Sequence, residues 1–208
     1  MNILFINFNL GATAGINHGV AALSAMLKKK KRQVSLIFLC EELGYDFDLK
    51  RLKQDIEQCR PDVIGISLIE TQFGFMKDFC RDLQEYYRGP VVVGGPFPSM
   101  DPETVLAVPG VHAVCVGEGE DAMTEFVDAL ESGSDCRPIK NLWIKSSDGS
   151  VIRNPLRPFK DLDELPPDDV ELFDLKKIVR LKNDQLEVLL GRGCPYQCTY
   201  CINAAYLR

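Results

Sequence analysis

The sequence lacks any apolar run of about 18 residues, the length that a membrane-spanning helix needs. It also lacks an excess of positive charge, since 24 lysines and arginines against 30 acidic residues leave a formal net charge of -6. A nucleic-acid-binding surface is expected to be basic, so nucleic acid is not predicted as a partner. The one basic run, Lys28–Arg32, falls where a helix should end, and cations favour that end of the helix dipole.

Common catalytic signatures are missing as well. The sequence contains no G-x-S-x-G nucleophile motif, and it contains no Walker or other phosphate-binding motif. The two histidines, His18 and His112, have no companion ligand in sequence, and both are predicted to be structural. The N-terminus has no positively charged region before its apolar residues, so it indicates a buried first strand rather than a signal peptide.

Five of the eight cysteines lie scattered among otherwise apolar patterns. Such cysteines are typical of reduced, mostly buried thiols, and they indicate a cytoplasmic protein. They are Cys40, Cys59, Cys80, Cys115 and Cys136.

Residues 1–133 alternate between short apolar runs and segments with helical spacing. The five runs are rich in β-branched residues and nearly continuous, which predicts a parallel sheet covered on both faces. The α/β pattern favours a flavodoxin-like, doubly wound, five-stranded parallel sheet with strand order 2-1-3-4-5. Phe75, Phe79, Leu83 and Tyr86 define the apolar stripe of the third helix.

The pattern changes after Gly133. Residues 141–154 contain two alternating runs around an Asp-Gly turn and predict a hairpin, and a proline- and acid-rich connector follows at 155–169. Residues 186–191 form a final apolar run that predicts a further strand. We therefore predict three parts: residues 1–135 as the main domain, 136–184 as hairpin and linker, and 185–208 as the start of another domain.

Three further cysteines form the motif C-x3-C-x2-C: Cys194, Cys198 and Cys201. Thiolates on one tight loop are suited to a soft metal centre. A structural zinc site normally takes four ligands, and no fourth cysteine or histidine lies nearby in sequence. Three thiolates suit a [4Fe-4S] cluster with one iron left open.

This motif, with Tyr200 before its last cysteine, resembles that of radical S-adenosylmethionine enzymes. The resemblance implies that Cys194, Cys198 and Cys201 bind three irons of a [4Fe-4S] cluster. It implies that S-adenosylmethionine chelates the fourth iron and that Tyr200 packs near the adenine. It also implies a reductant such as flavodoxin or ferredoxin, whose electron leads to cleavage of S-adenosylmethionine and a 5′-deoxyadenosyl radical.

Upstream segments are similar to the cobalamin-binding domain of one subfamily of these enzymes, namely residues 61–68, 91–120 and 166–175. The resemblance implies that residues at the strand ends cradle the corrin and its nucleotide tail. Glycines there would let the backbone approach a bulky ligand, although ordinary tight turns of a doubly wound fold are an alternative. The implied residues are Ser67, Thr71, Gly94, Gly95, Gly117, Glu118 and Gly119.

One motif of related domains is missing. Cobalamin domains of the methionine synthase type carry D-x-H-x-x-G after the first strand, and its histidine ligates cobalt. When Gly19 is aligned with the glycine of that motif, Ala14 and Ile16 stand at the aspartate and histidine positions, and His18 lies two residues away. We therefore expect cobalamin to bind base-off, without a histidine ligand.

The acidic pair Glu118 and Glu120 allows two interpretations. A general acid or base could lie in such a strand-end loop. Carboxylates also favour the N-terminus of a helix, and this second interpretation is preferred. No catalytic residue is assigned.

The function predicted from these observations is that of the N-terminal part of a cobalamin-dependent radical S-adenosylmethionine enzyme, performing radical methyl transfer or related chemistry in the full-length protein. The resemblance also implies that residues 186–191 are the first strand of a radical S-adenosylmethionine barrel, which is truncated in this sequence. With only one strand of that barrel, the 208-residue chain is not expected to be catalytically competent alone. The alternative is a cobalamin-binding or cofactor-free module with a vestigial cysteine motif. A flavin-binding flavodoxin is disfavoured because the first loop lacks a hydroxyl-rich phosphate cradle.

Overall fold

A computed structural model describes residues 1–146 and 148–203. Its centre is one sheet with strand order β2-β1-β3-β4-β5-β6-β7, in which β1 to β5 run parallel and β6 and β7 are antiparallel additions. The strands are β1 Asn2–Phe8, β2 Gln33–Leu39, β3 Val63–Ser67, β4 Val91–Gly94, β5 Ala113–Cys115, β6 Leu142–Lys145 and β7 Val151–Arg153. The predicted doubly wound fold with order 2-1-3-4-5 is confirmed for the parallel strands.

Seven α-helices connect and cover these strands in the described part of the chain. They are α1 His18–Lys29, α2 Leu49–Cys59, α3 Phe73–Leu83, α4 Pro96–Met100, α5 Pro102–Leu106, α6 Glu120–Ser132 and α7 Leu175–Leu181. No helix within residues 1–146 and 148–203 is both long and apolar enough to cross a bilayer.

The two faces of the sheet carry separate hydrophobic cores. Helices α2, α3 and α5 cover one face, and Phe79 of α3 packs there against Phe8 of β1 with ring centroids 5.9 Å apart. Helices α1, α6 and α7 cover the other face, where Val20 and Phe126 pack against the sheet. Burial on both faces explains why β1, β3 and β4 read as continuous apolar runs rather than alternating ones.

The predicted hairpin does not stand apart from the main sheet. Strand β6 pairs antiparallel with β5 through Val114 and Trp143, and β7 pairs with β6, so the sheet has seven strands rather than five. This pairing covers the edge of β5, which would otherwise leave backbone groups unpaired. The division of the chain at residues 135 and 184 stays a prediction.

The strand predicted at residues 186–191 is wrong for this structure. The segment has no strand pairing, and Leu190 is 95% exposed. An apolar run becomes a buried strand only when a neighbour supplies hydrogen bonds and cover, and no described strand lies beside it.

The basic run Lys28–Arg32 closes α1 and is paired with acidic residues. Lys28 Nζ lies 2.5 Å from a carboxylate oxygen of Asp169, and Lys30 Nζ lies 2.6 Å from one of Asp128. These cations therefore join α1 to α6 and to the connector, as expected for a helix end rather than a nucleic-acid surface.

A buried glycine on β3 fixes how closely the first strand packs. A Cβ added to Gly65 would lie 2.7 Å from two ring carbons of Phe5, which is itself buried. We expect Gly65→Ala to lower the free energy of unfolding by about 1–3 kcal/mol, because the ring must move within a packed core.

Urea unfolding would measure this loss. Gly74→Ala is the matched control, since Gly74 lies in α3 with no atom within 4 Å of an added Cβ. That control should keep or raise stability by up to about 1 kcal/mol. Equal midpoints for Gly65→Ala and the wild type would contradict the packing described.

Candidate functional site

A cavity of about 840 Å³ lies between the sheet and helices α1 and α6. The strand order reverses between β1 and β3, and doubly wound folds bind ligands beside such a point at the carboxyl ends of the strands. The apolar part of the cavity is lined by Phe5, Gly65, Val92, Val20, Leu23 and Met123. A largely apolar cavity of this size suits a bulky organic ligand.

A hydrogen-bonded pair, Asn17 and Ser67, contributes polar groups to the same cavity. Asn17 caps α1 by accepting the N–H of Val20 at 3.1 Å, and its amide donates to Ser67 Oγ at 2.9 Å. Because the oxygen of Ser67 already accepts this bond, the hydroxyl proton is left to donate to a ligand. The predicted site residue Ser67 therefore lies at the cavity with a usable donor.

The glycines predicted at the strand ends also line the cavity: Gly94, Gly95, Gly117 and Gly119. Gly95 has φ of +110°, and an added Cβ would lie 2.8 Å from the carbonyl oxygen of Leu68. The hydroxyl of Ser99 donates to Gly95 O and accepts the N–H of Gly117, both at 2.9 Å. This bridge holds the ends of β4 and β5 together. The four glycines there form an edge of the cavity without side chains, which we call the glycine rim.

Thr71 does not reach this cavity. It lies exposed in a short 3-10 turn, Glu70–Gln72, and is not among the lining residues. The neighbouring Gln72 is buried instead, and its amide donates to the carbonyl oxygen of Leu10 at 2.9 Å. Thr71 was predicted as a site residue because it follows β3 closely in sequence. Proximity in sequence does not determine which way the side chains of a turn face.

The loop after β1 offers no histidine to a ligand at the cavity. Ala14 is buried, and its N–H donates to the carboxylate of Glu42 at 2.6 Å. Ile16 packs with the apolar core. His18 Nδ1 instead lies 2.8 Å from Asp168 Oδ2, which ties the start of α1 to the connector. A histidine ligand is therefore absent from the positions where the D-x-H-x-x-G motif would supply one.

Cys115 also lines the cavity, but as a neutral thiol. Burial, together with the smaller effect of the negative charge of Glu120, raises the pKa of Cys115 to about 12. A thiol must lose its proton to ligate a metal. Cys115 therefore serves as an apolar wall of the cavity.

The two acidic residues Glu118 and Glu120 are paired with an arginine from the cysteine segment. Arg192 Nη1 lies 3.1 Å from Glu118 Oε1, and Arg192 Nη2 lies 2.6 Å from Glu120 Oε1. Burial lowers the pKa of Arg192, but the two carboxylates outweigh it and hold that pKa above its usual value. Glu120 is the first residue of α6, as the preferred interpretation expected, whereas Glu118 lies before the N-cap Gly119 and outside the helix.

The three motif cysteines are not brought together. Within residues 1–146 and 148–203, no three side chains of histidine, cysteine, aspartate or glutamate form a group that could hold a metal ion. Cys194, Cys198 and Cys201 are free and partly exposed, and Tyr200 is 90% exposed. The thiols do not converge in this structure, so the cluster site that the motif implies is not formed in this arrangement.

Several cavity residues were not predicted from the sequence. Asn17 could have been found, because an asparagine before a helical stripe is a favoured N-cap. Lys160 and Arg192 could not, since they reach the cavity from a connector and a loop without regular structure. Lys160 and Arg192 pair with residues 39 to 74 positions away, and such pairing leaves no pattern in sequence.

Comparison with known proteins identifies the domain. A family model described as "B12 binding domain" matches residues 12–127, more than half of the chain. The chain is 30% identical over 197 residues to an uncharacterised methyltransferase of Pyrococcus horikoshii, covering 91% of this chain and 41% of that protein. It is 26% identical over 219 residues to the anaerobic magnesium-protoporphyrin IX monomethyl ester cyclase of Rubrivivax gelatinosus, covering 97% and 38%. The chain thus spans about two fifths of the length of these relatives.

Solved structures share the fold. The cobalamin-dependent S-adenosylmethionine radical enzyme OxsB, with aqua-cobalamin and S-adenosylmethionine bound, superposes with a TM-score of 0.77 at 21% identity, over 96% of this chain and 28% of that one. The radical S-adenosylmethionine methyltransferase TsrM from Kitasatospora setae gives 0.73 at 17% identity, over 98% and 41%. The chain belongs to the B12-binding domain family and has the fold of part of the cobalamin-dependent radical S-adenosylmethionine enzymes.

Proposed function

We propose that this chain binds cobalamin, with the nucleotide tail in the cavity between the sheet and helices α1 and α6. The observation that carries the proposal is the cavity itself, about 840 Å³, which has apolar walls and ends at the glycine rim of β4 and β5. The bare rim of Gly94 and Gly95 suits the close approach of a flat, wide ring. Glu118, Gly117 and Gly119, together with Ser67, complete the proposed binding set.

The residues of the chain perform three tasks in this proposal. Ser67 donates its hydroxyl proton to an acceptor on the tail, held in place by Asn17. The apolar walls exclude water from the tail. The loop with Ala14 and Ile16 supplies no histidine, and a tail held in the cavity would keep its own base away from cobalt, so cobalamin would be bound base-off. When bound, cobalamin supplies a cobalt centre that can carry a methyl group.

We further propose that the chain is the cobalamin-binding part of a cytoplasmic radical S-adenosylmethionine enzyme. The names of its relatives support a methyltransferase or related radical chemistry. In that enzyme Cys194, Cys198 and Cys201 would hold a [4Fe-4S] cluster, Tyr200 would lie by S-adenosylmethionine, and a flavodoxin or ferredoxin would supply electrons. These roles rest on the cysteine motif, since the thiols do not converge in this structure.

The cobalamin proposal is tested by incubating the purified chain with hydroxocobalamin and measuring cobalt per chain after desalting. We expect about one cobalt per chain and a base-off absorption spectrum. Flavin mononucleotide, handled in the same way, should be removed by desalting. Retention of the flavin with loss of cobalt would overturn the proposal in favour of a flavodoxin-like binding module.

The iron proposal is tested by anaerobic reconstitution with iron and sulfide. We expect iron bound by the wild type to be lost in Cys198→Ala, because a cluster with one open iron already has only three thiolate ligands. Cys136→Ala is the matched control, since Cys136 lies outside the motif, and it should retain iron.

A second candidate function has one observation in its favour. The separated thiols of the cysteine loop fit a cobalamin-binding module without a cluster. Cobalt bound without iron, in the wild type and both cysteine variants, would establish that alternative.

A further inference from the structure

One oxygen of a buried carboxylate at the cavity has no hydrogen-bond partner. Glu120 is 4% exposed, and its Oε1 is taken by Arg192 at 2.6 Å. Its Oε2 is buried, and no donor in residues 1–146 and 148–203 reaches it. Buried acceptors are almost always satisfied, and a charged one left without a donor is costly. This oxygen therefore indicates a missing partner.

The neighbouring carboxylate makes the contrast clear. Both oxygens of Glu118 are satisfied, since Oε1 is paired with Arg192 and Oε2 accepts the backbone N–H of Lys160 at 2.8 Å. The same arginine thus serves two carboxylates, of which only Glu120 keeps an unused oxygen. Nearby polar groups of α6 do not supply its donor, because the hydroxyl of Thr124 donates to the backbone carbonyl of Glu120 instead.

Glu120 lies where a ligand can provide the missing donor. It lines the cavity together with Gly119 and Met123, and Arg192 lines the same cavity from the cysteine segment. Arg192 fixes the carboxylate from one side, so the orientation of the second oxygen is set before a ligand enters. A prearranged charged acceptor in a largely apolar cavity confers selectivity for a ligand with a donor at that point.

We propose that Glu120 Oε2 accepts a hydrogen bond from an N–H or O–H group of the bound cofactor. The inference rests on the proposed function. Cobalamin carries amide N–H groups around its corrin and a hydroxyl on the ribose of its tail, and either kind of donor satisfies the oxygen. Arg192 is a positioning residue for Glu120, and it also ties the cysteine segment to the cavity.

The test compares three variants by titration with hydroxocobalamin. Glu120→Gln should weaken binding by about 10- to 100-fold, because a hydrogen bond to a charged acceptor is lost and the new amide presents a donor to a donor. Glu125→Gln is the matched control on the same helix, and it should change binding by less than about 3-fold, because Glu125 is paired with Arg157 and does not line the cavity. The loss of affinity in Arg192→Met should lie between the losses in the other two variants.

The source of the donor is distinguished with dicyanocobinamide, which retains the corrin amides but lacks the ribose. An equal loss for both probes in Glu120→Gln assigns the donor to a corrin amide, and a loss for hydroxocobalamin alone assigns it to the ribose. Thermal unfolding of the unliganded variants tests whether the fold is kept. If Glu120→Gln unfolds at a lower temperature than the wild type, Glu120→Asp replaces it in the titration. Aspartate keeps the negative charge but withdraws the oxygens from the ligand.

Two results would overturn the inference while leaving the proposed function intact. One is wild-type affinity in Glu120→Gln. The other is an equal loss in Glu120→Gln, Glu125→Gln and Arg192→Met, since the effect would then come from lost ion pairs and not from the unused oxygen. Absence of cobalamin binding by the wild type would instead overturn the proposed function, and this inference with it.

Discussion

Replacing Gly94 with leucine is expected to abolish cobalamin binding, with a loss of at least about 100-fold in affinity. Gly94 ends β4 at the cavity, and an added Cβ would meet only ordinary contact, 3.5 Å from the Cβ of Cys115. The unliganded protein therefore has room for a Cβ at this position. The rest of the leucine would occupy space that the cofactor needs, and the overlap can be relieved only by displacing one of them.

The measurement is a titration with hydroxocobalamin, accompanied by thermal unfolding without ligand. Gly74→Leu is the control, because Gly74 lies in α3 with open space around it and does not line the cavity. That variant should bind cobalamin as the wild type does. Normal affinity in Gly94→Leu would mean that cobalamin, if bound, does not lie over the rim of β4.

Replacing Phe79 with alanine is expected to cost about 3–5 kcal/mol of unfolding free energy, a large share of the about 5–15 kcal/mol that stabilises a typical domain. Phe79 has no exposed surface and packs edge-on against Phe8. Removing the ring loses its burial and leaves a cavity between α3 and β1, which the surrounding strands cannot fill without disturbing the sheet.

Phe75 provides the matched control, one turn earlier on the same helix. It is 39% exposed and contacts Phe47 with ring centroids 5.1 Å apart. We expect Phe75→Ala to lower the free energy of unfolding by about 1 kcal/mol, since the ring of Phe75 is only partly buried. Urea unfolding of both variants measures the difference, and similar midpoints would contradict the placement of α3 on the sheet.

The parallel core was predictable because its signal is local. β1, β3 and β4 are buried on both faces and read as continuous apolar runs, and the alternation of strand and helix then leaves few topologies. The apolar stripe of α3 was predicted less well: Phe79 and Leu83 are buried, but Phe75 is exposed and the helix ends at Leu83, before Tyr86. Periodicity identifies a helix better than it fixes its ends.

The site was predictable only where glycine or a hydroxyl followed a strand. Ser67 and Gly95 line the cavity because the carboxyl ends of parallel strands share one edge. Thr71 was placed there by the same rule and turns away. The role of Arg192 depends on a contact with Glu120 across 72 positions, and the strand expected at residues 186–191 depends on a neighbour that the described chain does not provide.

The most direct test of the account is an electron paramagnetic resonance spectrum of the chain loaded with cob(II)alamin. If the tail occupies the cavity as proposed, and because no histidine stands at the positions of Ala14 and Ile16, no nitrogen would be available to ligate cobalt. The account predicts a bound cobalt signal without nitrogen superhyperfine splitting. Splitting by a nitrogen would contradict it, because the tail or a histidine would then be coordinated to cobalt rather than placed as described.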